Sequence, residues 1–135
     1  MSLDSVLSDV VRNVPDCIAA GYVDMSTGMI LGIKTVDSHP QEVIDVLAAA
    51  TGDLFQGSNV VTIEKLFKKV RGVSENDDTH YFNEFIALSQ NLIHVFIRGR
   101  KEQSAALVTV CRGGANLGMV LSKSRQAMPE VEKAA

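Results

Sequence analysis

The sequence has little of what would assign it quickly to a functional class. Its 135 residues include only two cysteines, Cys17 and Cys111, too few for the disulfide framework of a small secreted domain. The net charge of −3 is mild, whereas a general nucleic-acid binder is usually clearly basic. No apolar run approaches the length of a membrane span, and no secretory signal opens the chain. We therefore expect a cytoplasmic protein that neither binds nucleic acid nor inserts into a membrane.

The composition that remains is that of an ordinary globule, with 46% hydrophobic and 21% charged residues. A chain of this size buries roughly two thirds of its unfolded surface, so its core needs no metal or disulfide. We expect residues 1–135 to form a single domain whose tail, 129–135, is frayed.

Three consecutive strands, Tyr81–Ser89, Ile93–Arg98 and Ala105–Arg112, form the centre of the predicted fold. β-Branched and aromatic residues fill these runs, and the short breaks between them fit antiparallel hairpins. In the third run both alternating sets of residues are apolar. A sheet with one face in water would show polar residues at every second position. We therefore predict helices on both faces of the sheet, which makes a three-layer α/β/α domain.

The flanking segments supply the helices and two more strands. The predicted elements are a helix from Ser2 to Asn13, strands Cys17–Asp24 and Met29–Val36, a long helix Pro40–Arg71, and a last helix from Ala115 to about Met128. Ser38 with Gln41 is a capping box for the long helix, and Pro129 is expected to end the last one. The predicted order is α-β-β-α-β-β-β-α.

The long helix would span about 48 Å if unbroken, which exceeds the ~30 Å diameter of a small domain. Either it bends near Gly52 or Gly57, or part of it overhangs and packs on another molecule. An isologous dimer would bury such an overhang.

This order, with its residues, resembles the Roadblock/LC7 family across about Val11 to Arg125. The stretches that carry the resemblance are Val14-Pro15 before a small-residue strand, Asp24-Met25-Ser26-Thr27-Gly28-Met29-Ile30, Asn83-Glu84-Phe85-Ile86-Ala87, Ala106-Leu107-Val108-Thr109-Val110 and Ala115-Asn116-Leu117-Gly118-Met119-Val120. The chain departs from the family in the length of its second helix and in an acidic loop at 74–80.

The resemblance implies an α+β, profilin-like domain with a five-stranded antiparallel sheet. It also implies a homodimer formed by the second helix and the third strand, with sheets joined edge to edge. Members of the family act as dynein adaptors, as scaffolds for small GTPases, or as bacterial partners and activators of a Ras-like GTPase. The expected dimer interface comprises Val43, Leu47, Ala50, Leu54, Gly57, Val61, Phe82, Glu84 and Ile86.

The candidate chemical sites are weak. The glycines of Gly52–Ser58 have phosphate-loop spacing, but the stretch lacks the lysine and lies in a helical pattern. Asp37-Ser38-His39 is better explained as a helix cap than as a nucleophile site, because triads are assembled from distant positions. The three histidines, His39, His80 and His94, show no metal spacing, and Asp77-Asp78 makes a poor calcium site. We expect no catalysis, cofactor or metal.

Two further features have two interpretations each. If the first and last strands are neighbours, as the resemblance implies, Cys17 and Cys111 lie close, either as buried thiols or as a redox pair. The basic residues form either a solvated face or a surface for an acidic partner, and the arginines of the hairpin turn are candidate arginine fingers. These basic residues are Lys65, Lys68, Lys69, Arg71, Arg98, Arg100 and Lys101.

The leading hypothesis is a non-catalytic homodimeric scaffold or regulator that binds a small Ras-like GTPase. The alternatives are a small-molecule-sensing module, which needs an apolar pocket with a few polar groups, and a passive dimeric adaptor without a GTPase.

Overall fold

The computed structural model describes residues 2–36, 41–72, 74 and 80–135, and the side chains of these ranges other than 41–46. Its elements are α1 (Leu3–Asn13), β1 (Cys17–Asp24), β2 (Met29–Thr35), α2 (Gln41–Gln56), α3 (Ser58–Val70), β3 (Glu84–Leu88), β4 (Leu92–Arg98), β5 (Ala105–Arg112) and α4 (Leu117–Ala134). The strands form one antiparallel five-stranded sheet in the order β2-β1-β5-β4-β3. The capping box at Ser38, and with it Asp37-Ser38-His39, lies outside the described residues.

The sheet is covered on both faces, which confirms the three-layer prediction. One core lies between the sheet and helices α1 and α4, and it contains Leu7, Tyr22, Val95, Leu107, Val120 and Met128. The other lies on the face covered by α2, and it contains Val23, Ala48, Phe55, Phe96 and Val108. In β5 every residue except the last is buried, as expected for a strand with two apolar faces.

The long helix is two helices, so the order is α-β-β-α-α-β-β-β-α rather than the predicted one. They meet at Gly57, whose φ of −61° and ψ of 153° are extended. A Cβ at this position would lie 2.5 Å from the carbonyl oxygen of Asp53, so the joint requires glycine. Of the alternatives that the sequence left open, the bend near Gly57 is therefore confirmed.

The last helix does not end before Pro129, and the prediction of a frayed tail was wrong. Proline removes one helical hydrogen bond, at a cost of about 3 kcal/mol in a helix interior. Beyond it, however, Val131 is fully buried. The carboxylate of Glu132 also accepts hydrogen bonds from the backbone N–H groups of Lys101 (2.7 Å) and Glu102 (2.9 Å). These contacts offset the proline and hold the helix to Ala134.

β3 begins at Glu84, three residues later than predicted. The N–H groups of Tyr81 and Phe82 hydrogen-bond to the side chain of Glu64 rather than to a neighbouring strand. Within the described ranges, no helix is long and apolar enough to cross a bilayer.

Truncation tests the role of the C-terminal turns. A chain that ends at Met128 loses buried Val131 and the Glu132 hydrogen bonds, so its free energy of unfolding should fall by about 3 kcal/mol. A chain that ends at Glu132 keeps both and should stay within about 0.5 kcal/mol of the full chain. Urea denaturation measures both values; equal stability of the two truncated chains would restore the frayed-tail interpretation.

Candidate partner interface

The two edges of the sheet differ. β2 is irregular, because its register against β1 shifts between Tyr22 and Val23, and it carries Lys34. Such bulges and lysines discourage pairing with another chain. β3 pairs with β4 residue for residue without a shift. Within the described part of the chain, β3 is therefore the edge better suited to pairing with another strand.

The hydrogen bonds of β3 show which backbone groups are free to pair. Asn83 C=O accepts from Arg98 N–H at 2.8 Å, and Ser89 N–H donates to Leu92 C=O at 3.0 Å. Because bonded pairs alternate along an antiparallel ladder, the N–H and C=O groups of the residues at 84, 86 and 88 point away from β4. These outward groups form a regular row at the sheet edge.

Helix α3 has its polarity inverted relative to an ordinary surface helix. Its buried residues are the charged Glu64 and Lys68, only 4% and 7% exposed. Its outer side shows apolar residues at helical spacing i, i+3, i+4 and i+7, of which Leu66 is 55% exposed. We call this set the apolar stripe; it consists of Ile63, Leu66, Phe67 and Val70.

An aromatic cluster joins the apolar stripe to the core. The ring centroids of Phe67 and Phe82 are 6.2 Å apart, those of Phe82 and Phe85 are 5.9 Å apart, and those of Phe85 and Phe55 are 4.9 Å apart. Phe67 also meets Tyr81 edge to face at 5.6 Å. Because Phe55 is fully buried, the stripe rests on a rigid base rather than on a loose surface helix.

The inward carboxylate of Glu64 holds the segment before β3. It accepts hydrogen bonds from the N–H groups of Tyr81 (2.7 Å) and Phe82 (3.4 Å), and it lies 3.3 Å from His80 Nδ1. Burial raises the pKa of Glu64, but the hydrogen bonds lower this pKa by more than burial raises it. The pKa of Glu64 therefore lies below its ordinary value of 4.5. Glu64 therefore acts as a charged anchor between α3 and β3.

Arg98 complements Glu64 from the sheet. It is 2% exposed, and its guanidinium donates to the carbonyls of Phe82 (3.1 Å), Gln103 (3.1 Å) and Phe55 (2.9 Å). The Phe55 carbonyl lies in the last turn of α2, where helical acceptors lack partners and a cation is favoured. Burial lowers the pKa of Arg98, and the charge of Glu64 opposes that shift. Together the two side chains fix α2, α3 and β3 relative to one another.

The predicted interface residues lie in different environments in the structure. Ala50, Val61 and Ile86 are exposed, whereas Leu47 and Leu54 pack against the core under α2. Those with other roles are Gly57 at the helix joint, Phe82 in the aromatic cluster, and Glu84, whose carboxylate binds Arg125 of α4 through two 2.7 Å hydrogen bonds. The side chain of Val43 lies outside the described residues.

The apolar stripe was absent from the predicted interface, whose last residue on the long helix was Val61. A pattern carried through Gly57 assumes one continuous helix, and the joint changes which side of α3 faces the sheet. The signal available in the sequence was the charged pair Glu64 and Lys68. These residues are four positions apart, so they lie on one side of the helix, between its apolar residues.

The predicted basic surface is smaller than expected. Lys65, Lys69 and Arg71 are exposed at the end of α3, and Arg100 and Lys101 are exposed in the β4–β5 turn. Arg71 also lies over the Tyr81 ring, with its guanidinium carbon 5.9 Å from the centroid. Lys68 and Arg98 are buried. Arg98 uses its guanidinium inside the protein, so it is not an arginine finger.

An open groove of about 640 Å³ lies beside the helix joint. Its lining includes Ala50, Leu54, Gly57, Val60 and Phe85. The polar residues Asp53, Ser58 and Asn59 complete the lining. Among the described residues, no group of three or more His, Cys, Asp or Glu could hold a metal ion. Asp77-Asp78 lies outside the described part of the chain.

No protein-family model matches this sequence, and no curated protein matches it. Solved structures do match its fold. MglB of Myxococcus xanthus is 16% identical, with a TM-score of 0.68 over 97% of this chain and 92% of that one. An MglB with a tetrameric arrangement is 22% identical, with a TM-score of 0.70 over 98% and 87%. A Roadblock/LC7 domain from Streptomyces avermitilis is 13% identical, with a TM-score of 0.66 over 98% and 97%. The chain has the Roadblock/LC7 fold.

The role of Arg98 predicts a large difference between two neighbouring substitutions. Arg98→Met removes the donor for three carbonyls, so the free energy of unfolding should fall by about 3 kcal/mol. Arg100→Met changes an exposed arginine two residues away and should cost less than about 0.5 kcal/mol. Guanidinium denaturation of both variants provides the comparison. A loss for Arg98→Met no larger than the control would mean that the guanidinium holds nothing in place.

The anchor at Glu64 predicts a specific pH dependence. A carboxyl whose folded pKa is depressed stabilises the fold above its unfolded pKa, and that contribution is lost as the pH falls through the folded value. Wild type should therefore be more stable than Glu64→Gln at pH 7, and the gap should close below about pH 4.5. Unfolding curves from pH 3 to pH 8 measure the gap. A gap that does not vary with pH would contradict a charged anchor.

Proposed function

We propose that this chain is a non-catalytic homodimeric scaffold or regulator that binds a small Ras-like GTPase. The observation that carries the proposal is the inverted polarity of α3 beside the free edge of β3. A helix with its charged residues inward and its apolar residues outward exposes apolar surface to water, which is unfavourable in free energy. A second copy of the chain presents the same stripe and the same edge, so one isologous contact covers both.

In the proposed dimer two β3 strands pair antiparallel about a two-fold axis near Ile86. The outward groups of Glu84 then meet those of Leu88 of the other copy, and the five-stranded sheets become one continuous sheet. The apolar stripes meet on the side of α3. Self-association of a similar fold, the MglB with a tetrameric arrangement, supports this step.

A GTPase partner is what the resemblance of the sequence to the Roadblock/LC7 family implies, and the chain has the fold of that family. The proposed dimer keeps two exposed basic groups available to such a partner: Lys65, Lys69 and Arg71 on α3, and Arg100 and Lys101 in the β4–β5 turn. Since Arg98 is committed to internal carbonyls, any effect on hydrolysis would come from reshaping the GTPase. We favour this role over ligand sensing because the groove beside the helix joint is open rather than enclosed.

Charge on the stripe should dissociate the dimer. Leu66→Glu brings two carboxylates into the apolar contact, so the dimer should weaken at least about 100-fold. Leu31→Glu is a matched control, because Leu31 on the opposite edge is 51% exposed, against 55% for Leu66. Light scattering coupled to size-exclusion chromatography gives the masses, and circular dichroism confirms folding. A dimer that survives Leu66→Glu, or a wild type that is monomeric at micromolar concentration, would refute the interface.

Binding to GTPases tests the second half of the proposal. Each Ras-like GTPase of the same genome is purified, loaded with GDP or a non-hydrolysable GTP analogue, and mixed with the dimer. We expect one of them to co-elute in one nucleotide state, and Arg100→Glu with Lys101→Glu to weaken that complex without changing the mass of the dimer. If a dimer forms but no GTPase binds in either state, the chain is a passive dimeric adaptor.

A further inference from the structure

The two cysteines lie directly opposite each other on adjacent strands. Cys17 is the first residue of β1, and the register of the sheet pairs it with Cys111 of β5. Both side chains belong to the core between the sheet and helices α1 and α4, so both point to the same face. The structure contains them as free, buried thiols.

This pair is of the type in which side chains approach most closely. Arg112 N–H donates to Asp16 C=O at 3.0 Å, so Asp16 and Arg112 form a hydrogen-bonded pair. Because bonded and non-bonded pairs alternate, the next pair, Cys17 and Cys111, is a non-hydrogen-bonded pair. Opposed Cα atoms in such pairs are about 4.5 Å apart. A disulfide accepts Cα separations of about 4.4–6.8 Å. The register of β1 against β5 shifts only after Cys17, before Ala19, so the two sulfurs can bond without a further change of strand register.

The two thiols are also chemically unequal. Hydrogen bonding from Cys111 lowers the pKa of Cys17, whereas the same contact together with burial raises the pKa of Cys111. Cys17 is 6% exposed and lies at the end of the sheet, while Cys111 is fully buried. Because the thiolate is the nucleophile, Cys17 is the residue that meets an oxidant first and Cys111 is the one that resolves the product.

We propose that Cys17 and Cys111 form a reversible disulfide that locks the first strand to the last. With a hydroperoxide as oxidant, the Cys17 thiolate attacks the peroxide oxygen and breaks the O–O bond, which gives a sulfenic acid and, from hydrogen peroxide, water. The sulfur of Cys111 then attacks the sulfenic sulfur and displaces its oxygen as a second water. The balance is two thiols and one peroxide to one disulfide and two waters, and a dithiol reverses it.

The bond would close a loop that contains all the elements between β1 and β5. Constraining the unfolded chain in this way stabilises the fold, more so for a long loop. It also joins the points from which α1 and α4 leave the sheet, because α1 ends at Asn13, shortly before Cys17, and α4 begins at Leu117, shortly after Cys111. Oxidation would thus fix both helices of one face without altering β3 or α3.

The test uses the reduced full chain with hydrogen peroxide in small molar excess. We expect both free thiols to disappear, the intact mass to fall by two hydrogen atoms per chain, and a non-reduced digest to yield a peptide that joins Cys17 to Cys111. The melting temperature should rise by at least about 5 °C and return with dithiothreitol.

Cys17→Ala and Cys111→Ala each retain one thiol and should show neither the cross-linked peptide nor the reversible rise. Persistence of both thiols in wild type would overturn the proposal, as would sulfinic acid or a disulfide between chains as the main product. The peptide map of wild type distinguishes these products even if an alanine variant folds poorly.

Discussion

The guanidinium of Arg98 is the contact on which the organisation of one side of the molecule depends. Its three hydrogen bonds go to the end of α2, the segment before β3 and the β4–β5 turn. Burying a charge costs several kcal/mol, and only well-aligned acceptors offset that cost. Here the acceptors are carbonyls of three separate segments, so the charge is satisfied only when all three are in place. Arg98 therefore selects one arrangement of these segments rather than simply adding stability.

Glu64 performs the complementary task, because it accepts the N–H groups of the segment whose carbonyl Arg98 binds. An edge strand has one neighbour, and these two side chains supply the restraint that a second neighbour would give. Placing a carboxylate on the inner side of α3 has a consequence for the rest of the helix. Its apolar residues must lie elsewhere, and they lie outside. The inward position of the Glu64 carboxylate thus has two results, the restraint on β3 and the exposure of the apolar stripe.

The sequence predicted what depends on local pattern. The two apolar faces of Ala105–Arg112 were enough to establish a sheet covered on both sides. The sequence pattern could not predict properties that depend on backbone groups distant along the chain. Arginine is usually a surface residue. Only the positions of the Phe55, Phe82 and Gln103 carbonyls place the Arg98 side chain in the interior. Pro129 is a sound stop signal that buried Val131 overrides. The apolar stripe was missed for a related reason, since one extended residue at Gly57 reorients the helix that follows.

The difference between the sheet edges determines what kind of assembly this fold can make. A sheet with two open edges would add copies at both ends and grow without limit. The register shift and Lys34 discourage pairing at β2, while β3 presents a regular row of backbone groups that point away from β4. In the dimer proposed above, pairing of β3 with itself would use this edge in both copies at once, so growth through the sheet edges would stop at two. The dimer proposed above would keep the faces of α1 and α4 and the exposed lysines and arginines outside the contact, as a scaffold requires.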